Sequence, residues 1–418
     1  MKTYFAKRLN KLGTETAFAV SQDATEYATR GNKVYPFHLG DINIPTPANI
    51  MEAANKAMCD GNTGYNPSVG IPQLRNALAD LAGSERGVFY NRENVVIQPG
   101  GKPVIPKFIQ SLMNPGDGVL YPNPGYPIYE SQIEFHGGHT LPYGFISNSD
   151  GFKIDRERVE SLIGSNTRLF IYNNYQNPMG AESDMDEMEW VAELAQKHDL
   201  WVLSDEAYFE IQYSGKPKSI VSIPGMKERT VILYTFSKTY AMTGWRLGAA
   251  IGPGELMKVF AKLSVNDESC TNHFIQYGGI EALTGSPEGA KSILKELKIR
   301  RDALANKLRD IPGVSLYKPE STFYLFPDIT DIYKKLETKS YEDFRCRILR
   351  ETGVSFCTRE HFGTPFDNED RQYIRFAYSG IPVDQIECLL YYIWVLILNY
   401  RRHYLYFSLE LINDYIHF

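Results

Sequence analysis

The chain has 418 residues, which is long enough for two domains and a large buried core. Hydrophobic residues make up 43% of the sequence and charged residues 22%, a composition typical of a globular enzyme. The net charge is −6, and the basic residues form no stripe along the sequence. Because proteins that bind nucleic acid usually present a basic face, we do not expect a nucleic-acid partner.

Cysteine usage and hydropathy indicate a cytoplasmic protein. The five cysteines are odd in number and none forms a C-x-x-C pair, which favours free thiols in a reducing compartment. The N-terminus lacks the apolar run of a signal peptide. The apolar segment from Cys388 to Leu398 is shorter than the roughly 20 residues that span a bilayer, so we predict a buried C-terminal helix there. No membrane partner is expected.

Short apolar runs alternate with amphipathic helical patterns through much of the chain. Five of these runs are predicted to be buried strands: residues 94–98, 118–121, 168–172, 200–204 and 230–234. Residues 183–198 are predicted to form a helix, with Ser183 and Asp186 as its capping box. Such alternation predicts an α/β fold, in which helices cover both faces of a mostly parallel sheet.

The pattern changes in the C-terminal third of the chain. Residues 290–310 are predicted to form a long charged helix that ends at Ile311-Pro-Gly, and short strands and helices follow. We therefore predict two domains, a large one over residues 46–288 and a smaller α+β one that combines residues 1–45 with residues 289–418.

Lys238 ends the segment Thr235-Phe-Ser-Lys, which directly follows the last predicted strand. A lysine at the end of a strand is usually only solvated, so its position alone is weak evidence. Two hydroxyl groups precede it, however, and Arg246 lies eight residues further on. Hydroxyls, an ammonium and a guanidinium close together suit a phosphate ester, which an arginine can bind through two parallel hydrogen bonds.

Polar residues also follow three other predicted strands, where ligands sit in parallel sheets. Asp205 fits either a partner of a cationic pyridinium nitrogen or a simple strand cap. Asn177 fits either a donor to a phenolate oxygen or a member of an Asn-Pro turn. Gly100 and Gly101 allow backbone N–H groups at a helix N-terminus to approach a phosphate, although two glycines are weak evidence by themselves.

Five segments, in this order along the chain, resemble the class I/II, fold-type I aminotransferase family. They are YNPSVGIPQLR, YPNPGYPIY, NPMG, SDEAY and the most specific one, TFSKTYAMTGWRLG. The resemblance covers roughly residues 15 to 400. It implies pyridoxal 5'-phosphate as the cofactor, a seven-stranded sheet between helices in the large domain, and a homodimer.

The resemblance assigns the residues around the cofactor ring. Lys238 matches the lysine that forms the Schiff base and then serves as the general base, and Asp205 matches the partner of the ring nitrogen. Asn177 and Tyr208 match the two donors to the phenolate oxygen, and Tyr126 matches the aromatic residue that stacks on the ring. The predicted catalytic residues are Lys238, Asp205 and Tyr208.

The resemblance also assigns the phosphate and substrate sites. The predicted phosphate ligands are Gly100, Gly101, Lys102, Thr235, Ser237 and Arg246. Tyr65 matches a tyrosine that reaches the phosphate from the neighbouring subunit, so a shared active site is expected. Arg375 matches the arginine whose guanidinium binds the substrate α-carboxylate through two parallel hydrogen bonds. Gly40 and Asn177 are the other predicted substrate-binding residues.

Two departures from the family pattern bear on the site. Lys102 stands where serine or alanine is common, and its ammonium is expected to add a charge-assisted contact to the phosphate. Ile42-Asn43 stands where Pro-Asp is usual, which leaves the shape of the loop beside the substrate open.

We predict an aminotransferase that moves an amino group from an L-amino acid to a 2-oxo acid by a ping-pong mechanism. A lyase, decarboxylase or synthase on the same fold is one alternative, because the orientation of the scissile bond decides among these reactions. A non-catalytic protein that binds the cofactor is another, although no DNA-binding region precedes residue 15. The sequence predicts no metal site and leaves the amino donor and acceptor open.

Overall fold

The computed structural model describes residues 4–13, 16–148 and 151–387. The α-helices are α1 (Ala17–Thr29), α2 (Ala48–Cys59), α3 (Pro72–Arg86), α4 (Val104–Leu112), α5 (Ile128–Phe135), α6 (Arg156–Leu162), α7 (Met185–Lys197), α8 (Gly254–Asp267), α9 (His273–Thr284), α10 (Glu288–Arg309), α11 (Thr330–Lys335) and α12 (Tyr341–Thr352). No helix within these ranges is long and apolar enough to cross a membrane. The helix predicted from Cys388 to Leu398 lies outside the described residues.

The strands are short, and most lie between residues 95 and 251. They are β1 (Tyr35–Pro36), β2 (Val95–Gln98), β3 (Gly118–Pro122), β4 (His139–Tyr143), β5 (Phe145–Asn148), β6 (Gly151–Ile154), β7 (Thr167–Tyr172), β8 (Trp201–Asp205), β9 (Thr230–Thr235), β10 (Gly248–Ile251), β11 (Tyr324–Leu325), β12 (Val354–Ser355), β13 (Cys357–Thr358) and β14 (Ile374–Ala377).

Seven strands form the central sheet, in the order β2-β10-β9-β8-β7-β3-β4. All pairs from β9 to β4 are parallel, whereas β10 is antiparallel to both of its neighbours. The five predicted strands are present as β2, β3, β7, β8 and β9, so the prediction of a mostly parallel sheet is confirmed. The sequence analysis did not identify β4 and β10. Strand β10, Gly-Ala-Ala-Ile, has only four residues, and its first three have small side chains or none, so it forms no clear apolar run.

Successive residues of the central strands enter two hydrophobic cores, one on each face of the sheet. On one face, Val95 and Ile97 of β2 share a core with residues of α3, α7 and α9. On the other face, Val96 shares a core with residues of α4, α5 and α8. Helices therefore cover both faces, as predicted. The strands are apolar at nearly every position because neither of their faces meets water.

A smaller sheet lies in the C-terminal part of the chain. Strand β14 pairs antiparallel with both β11 and β13. Strand β1 pairs in parallel with β12, with Tyr35 opposite Val354, so the N-terminal segment is joined to the C-terminal part. Buried residues of α10 and α12, including Leu304 and Ile348, pack in the same core. Arg375 therefore lies in the middle strand of this sheet.

The sequence predicted where helix α7 begins and where helix α10 ends, and the structure tests both predictions. Helix α7 has Asp184 as its N-cap, whose side chain accepts a hydrogen bond from the Glu187 N–H at 2.9 Å. The predicted capping box of Ser183 and Asp186 is therefore wrong, because Asp184 is the carboxylate three residues before that N–H. Ser183 instead donates its hydroxyl to the Glu187 carboxylate at 2.6 Å. The long predicted helix is confirmed as α10, which ends just before Ile311-Pro-Gly.

The carboxyl ends of β2, β7, β8 and β9 lie at one edge of the central sheet, because these four strands run in the same direction. Gly248 of β10 pairs with both Gln98 and Thr235, so the ends of β2 and β9 flank it. The polar segments that follow these strands converge at this edge, which is where ligands bind in such sheets.

Candidate active site

A cavity of about 470 Å³ opens at this edge and extends to the small C-terminal sheet. It is lined by every predicted site residue except Gly100 and Tyr65. Those lining residues are Gly40, Gly101, Lys102, Tyr126, Asn177, Asp205, Tyr208, Thr235, Ser237, Lys238, Arg246 and Arg375. The structure thus brings together residues that are up to 335 positions apart in the sequence.

Two glycines shape the end of the cavity beside Arg246. Gly100 has a φ of +102°, and a Cβ atom there would lie 2.3 Å from the Arg246 guanidinium. A Cβ on Gly101 would lie 2.8 Å from the Leu233 side chain. Only glycine permits this close approach of the turn to the end of β9. Gly100 therefore lies beneath Arg246 instead of on the cavity wall.

The hydroxyl groups at the end of β9 face the same corner. The Thr235 hydroxyl donates to the Ser237 hydroxyl at 2.9 Å, and the Ser237 N–H donates to Thr235 Oγ1. Arg246 is exposed, adopts a left-handed backbone conformation with φ of +56°, and donates to the Thr243 carbonyl at 2.8 Å. Hydroxyl, guanidinium and backbone N–H donors together form a group that suits a phosphate.

Asp205 lies at the carboxyl end of β8 and is buried. Its carboxylate accepts hydrogen bonds from the Tyr129 hydroxyl and from the Ala207 N–H, the latter at 3.2 Å. It forms no ion pair with any described residue. Burial raises the pKa of Asp205, and the hydrogen bond from Tyr129 opposes that shift. A buried carboxylate of this kind is well placed to receive a cationic ligand.

Lys238 follows β9 and is half-buried, and β9 lies next to β8, the strand that ends at Asp205. Its ammonium donates to the Gly40 carbonyl at 2.9 Å. The same nitrogen lies 5.8 Å from the centre of the Tyr208 ring and 5.3 Å from that of Phe323. The lysine therefore reaches across the cavity from the central sheet to the segment that precedes α2.

Tyr208 lies in the turn after β8, and its hydroxyl is 2.5 Å from the Tyr324 hydroxyl. Burial, followed by the proximity of Tyr324, raises the pKa of Tyr208 well above its usual value. Its hydroxyl therefore keeps its proton and remains a donor. A Cβ on Gly40 would lie 2.3 Å from the Tyr324 oxygen, so this glycine makes room for the pair of hydroxyls.

Arg375 is buried, at 3% exposure, and forms no ion pair with a described residue. It donates to the Asn177 side-chain oxygen at 2.9 Å and to the His38 carbonyl at 2.6 Å. The guanidinium carbon lies 4.5 Å from the centre of the Tyr324 ring and 4.7 Å from that of Phe362. Its Nε is buried without a hydrogen-bond partner among the described residues. A guanidinium held in this way presents a site for a carboxylate.

The structure adds site residues that the sequence analysis did not assign. Tyr129 holds Asp205, while Tyr324, Phe362 and the His38 carbonyl surround Arg375. Tyr129 lies in the first turn of α5, three residues after Tyr126, and its place in the same YPNPGYPIY motif could have identified it. The other three carry no local signal, because each comes from a different part of the chain.

Side-chain hydrogen bonds hold the loop around Ile42-Asn43, which departs from the family pattern. The Asn43 amide donates to the Gly380 carbonyl at 3.1 Å and accepts from Arg300 at 2.7 Å. The neighbouring Asp41 accepts from the Thr243 hydroxyl at 2.7 Å. These contacts hold Gly40 under Tyr324 even though Pro-Asp is replaced by Ile42-Asn43.

Tyr65 is the predicted site residue that lies apart from the cavity. Its side chain is 91% exposed and does not line the cavity within this chain.

The site fits pyridoxal 5'-phosphate on the residues present. The buried Asp205 carboxylate lacks a cationic partner among the described residues, and a protonated pyridine nitrogen would supply one. The hydroxyls of Thr235 and Ser237, with Arg246 and the glycine turn, supply donors for the phosphate. Lys238 lies between these two groups with its amine in the cavity.

Comparison with known proteins identifies the family of the chain. Residues 33–393 match the family described as Aminotransferase class I and II. The aspartate aminotransferase of Bacillus subtilis (strain 168) is 30% identical over 362 residues, which cover 86% of this chain and 92% of that protein. The asparagine–oxo-acid transaminase of Streptococcus mutans is 31% identical over 372 residues, which cover 87% of this chain and 93% of that protein.

A solved structure extends the agreement to the fold. Thermus thermophilus aspartate aminotransferase with maleate superposes with a TM-score of 0.86 at 27% identity, covering 94% of this chain and 100% of that one. The predicted family, fold and cofactor are therefore confirmed. The chain belongs to the class I and II aminotransferases and is a pyridoxal-phosphate-dependent transaminase.

Proposed function

We propose that the protein moves the amino group of L-aspartate to a 2-oxo acid by a ping-pong mechanism, with the cofactor held on Lys238 as a Schiff base. One observation carries the proposal: Lys238, Asp205 and Arg375 line a single cavity. They supply a nucleophilic amine, a partner for the ring nitrogen and a carboxylate site.

Lys238 performs two tasks in this proposal. When bound, pyridoxal phosphate supplies an electron sink that stabilises negative charge on the substrate Cα. The Lys238 amine, once released from the cofactor, would take the proton from Cα and deliver it to the C4' carbon of the cofactor, so that the amino group remains there when the 2-oxo acid leaves. The Gly40 carbonyl, 2.9 Å from the amine, holds it on the substrate side of the cavity.

Arg375 binds the α-carboxylate of the amino donor and of the 2-oxo acid. Because Asn177 and the His38 carbonyl fix its guanidinium, little side-chain entropy is lost when the substrate binds. A fixed carboxylate also fixes the direction of the Cα–H bond. Alignment of this bond with the ring's electron system favours proton transfer over loss of CO₂ or of a side chain, which is why we place transamination above the lyase alternative.

Two features support an acidic amino donor. Several relatives, including the Bacillus subtilis protein, are named aspartate aminotransferases. Among the described residues that line the cavity, Lys102, Lys238, Arg246 and Arg375 are cationic, and Asp205 is the one carboxylate. This excess of positive charge suits a phosphorylated cofactor together with a substrate that carries two carboxylates.

The proposed active site includes a neighbouring subunit. The exposure of Tyr65 outside its own cavity fits a homodimer in which Tyr65 reaches the partner's phosphate. We also propose the division into a large domain over residues 46–288 and a small domain from residues 1–45 and 289–418, which the pairing of β1 with β12 supports. The described cysteines are unpaired, which supports a cytoplasmic location.

A single-turnover experiment tests the reaction. The holoenzyme mixed with L-aspartate and no acceptor should form one oxaloacetate per active site and leave the cofactor in its aminated form. Release of CO₂ or ammonia with the cofactor unchanged would establish the lyase alternative, and no change with any donor would establish non-catalytic binding. Borohydride reduction before the reaction should fix the cofactor on the peptide that contains Lys238, and attachment to another lysine would contradict the assignment.

Subunit mixing tests the shared site. Tyr65→Ala and Lys238→Ala variants should each be weakly active, because one loses a phosphate ligand and the other the amine. If Tyr65 serves the partner's site, mixed dimers contain one site with both residues intact and regain part of the activity. A mixture no more active than its components, although subunits have exchanged, would show that Tyr65 does not serve the partner's site.

A further inference from the structure

His361 lines the cavity but belongs to none of the groups described above. It follows β13 in the loop that leads to Phe362, whose ring contacts the Arg375 guanidinium. The loop is held on two sides, because Thr16 donates its hydroxyl to the His361 carbonyl at 3.0 Å and the Gly125 N–H donates to the Phe362 carbonyl at 2.9 Å. The imidazole is therefore presented by a fixed backbone next to the carboxylate site.

The hydrogen bonds of the ring determine where its proton lies. The backbone N–H of Thr358 points at Nδ1 from 3.1 Å, and the Thr358 hydroxyl lies 2.8 Å from the same atom. A backbone N–H can only donate, so Nδ1 must be the acceptor. The neutral ring consequently carries its proton on Nε2.

The imidazole stays neutral at physiological pH. Burial, followed by the nearby guanidinium of Arg345, lowers the pKa of His361 to about 4. Arg375 contributes in the same direction, while Glu342 opposes it. His361 therefore offers the cavity a neutral N–H donor, not a positive charge.

No hydrogen bond joins Nε2 to another described residue, and the half-buried side chain lines the cavity. Phe18 and Thr16, at the start of α1, line the same cavity. A donor in a cavity wall gains most from a ligand that brings an acceptor oxygen to it. A ligand with an apolar group at that place removes water from the donor without replacing the hydrogen bond.

We infer that His361 determines substrate specificity, by donating its Nε2–H to the side-chain carbonyl oxygen of the amino donor. This inference rests on the proposed function and sharpens its substrate class. Because the donor is neutral, it serves a carboxylate and a carboxamide alike, so aspartate and asparagine are both selected. An aliphatic donor of the same length, such as 2-aminobutyrate, leaves the N–H without a partner and is disfavoured.

Two variants of His361 test the inference in the half-reaction. His361→Leu removes the donor, and kcat/KM for aspartate and asparagine should fall about ten-fold while that for 2-aminobutyrate is unchanged or rises. His361→Gln restores an N–H at a similar reach and should recover part of the loss. His136→Gln, which changes a histidine at the end of α5 outside the cavity, should leave all three donors unaffected.

Binding to the holoenzyme provides a readout independent of turnover. The dissociation constant of succinate should rise about ten-fold in His361→Leu, while that of butyrate, which has one carboxylate, should stay constant. An equal loss for all donors and both acids would show that His361 only supports the loop, and it would overturn the inference while transamination stands. A wild-type holoenzyme that converts none of the donors would overturn the proposed function and this inference together.

Discussion

The two ends of the cavity are built in different ways. At the end proposed for the cofactor, Asp205 ends one strand of the central sheet, and Asn177, Lys238 and the turn at Gly100 each follow another of its strands. At the end proposed for the substrate carboxylate, Arg375 contacts Asn177 and the His38 carbonyl, which lie 198 and 337 positions away in the chain. One sheet positions the residues at the first end, whereas the second end forms only when segments from the beginning, middle and end of the chain come together.

This difference predicts different consequences of mutation. Changes at the cofactor end should slow the reaction of every amino donor, because all donors use the same ring and the same amine. Changes at the carboxylate end should weaken binding and orientation, and only for ligands that carry the matching group. Four variants separate the two ends, and they follow from the largest expected effect to the smallest.

Lys238→Ala should lower kcat for transamination by about 10³-fold or more, because it removes both the covalent attachment and the general base. The phosphate donors remain, so cofactor binding should persist without attachment through borohydride treatment. Steady-state and single-turnover kinetics measure the loss. Lys153→Ala, at a surface ion pair with Asp184, is the control and should keep full activity. Near-normal turnover of the Lys238 variant would assign the base elsewhere.

Arg375→Ala should lower kcat/KM for α-amino acids by about 100-fold, or roughly 3 kcal/mol, because a buried carboxylate loses its partner. The measurement is kcat/KM for aspartate beside the rate with an amine that lacks the α-carboxylate, which should change little. Arg371→Ala removes an arginine paired with Asp328 outside the cavity, and we expect no comparable loss. Equal losses with both donors would remove Arg375 from the carboxylate site.

Tyr129→Phe should move the acid limb of the pH–activity profile to higher pH. The reaction needs Asp205 as a carboxylate, and the Tyr129 hydrogen bond holds the pKa of Asp205 down against the effect of burial. Removing a hydrogen bond to a charged group costs about 1.5–3 kcal/mol, so the carboxylate protonates at higher pH and activity is lost earlier as pH falls. Tyr143→Phe removes a buried hydroxyl that donates to the Ile171 carbonyl, and it should leave the profile in place.

Gly40→Ala should destabilise the fold by about 1–3 kcal/mol, because its Cβ would lie 2.3 Å from the Tyr324 oxygen. Tyr324 must then move away from Tyr208 and Arg375, so KM should rise as well. Urea denaturation measures the stability. Gly254→Ala is a control at the start of α8, where the nearest atom lies 3.8 Å from the new Cβ. Unchanged stability of the Gly40 variant would mean that the carboxylate end tolerates rearrangement.

The predictions from the sequence succeeded where a signal was local. Strands β2, β3, β7, β8 and β9 were identified because each is a continuous apolar run buried on both faces. Strand β10 was missed because three small residues and one isoleucine carry no periodic signal, although its pairing joins β2 to β9. The observed N-cap of α7 lies one residue beyond the predicted one, since Ser183 and Asp184 are adjacent and both residue types are common N-caps.

The sequence by itself determined the family and the mostly parallel sheet, and it predicted the residues that we propose for the cofactor, because short motifs mark the strand ends where they lie. Only the tertiary structure decided which groups surround Arg375, that Tyr129 holds Asp205, and that Gly40 lies under Tyr324. It also decided the tautomer of His361, which depends on a single backbone N–H. These contacts join segments remote in the chain, and their geometry exists only when both sheets have packed around the cavity.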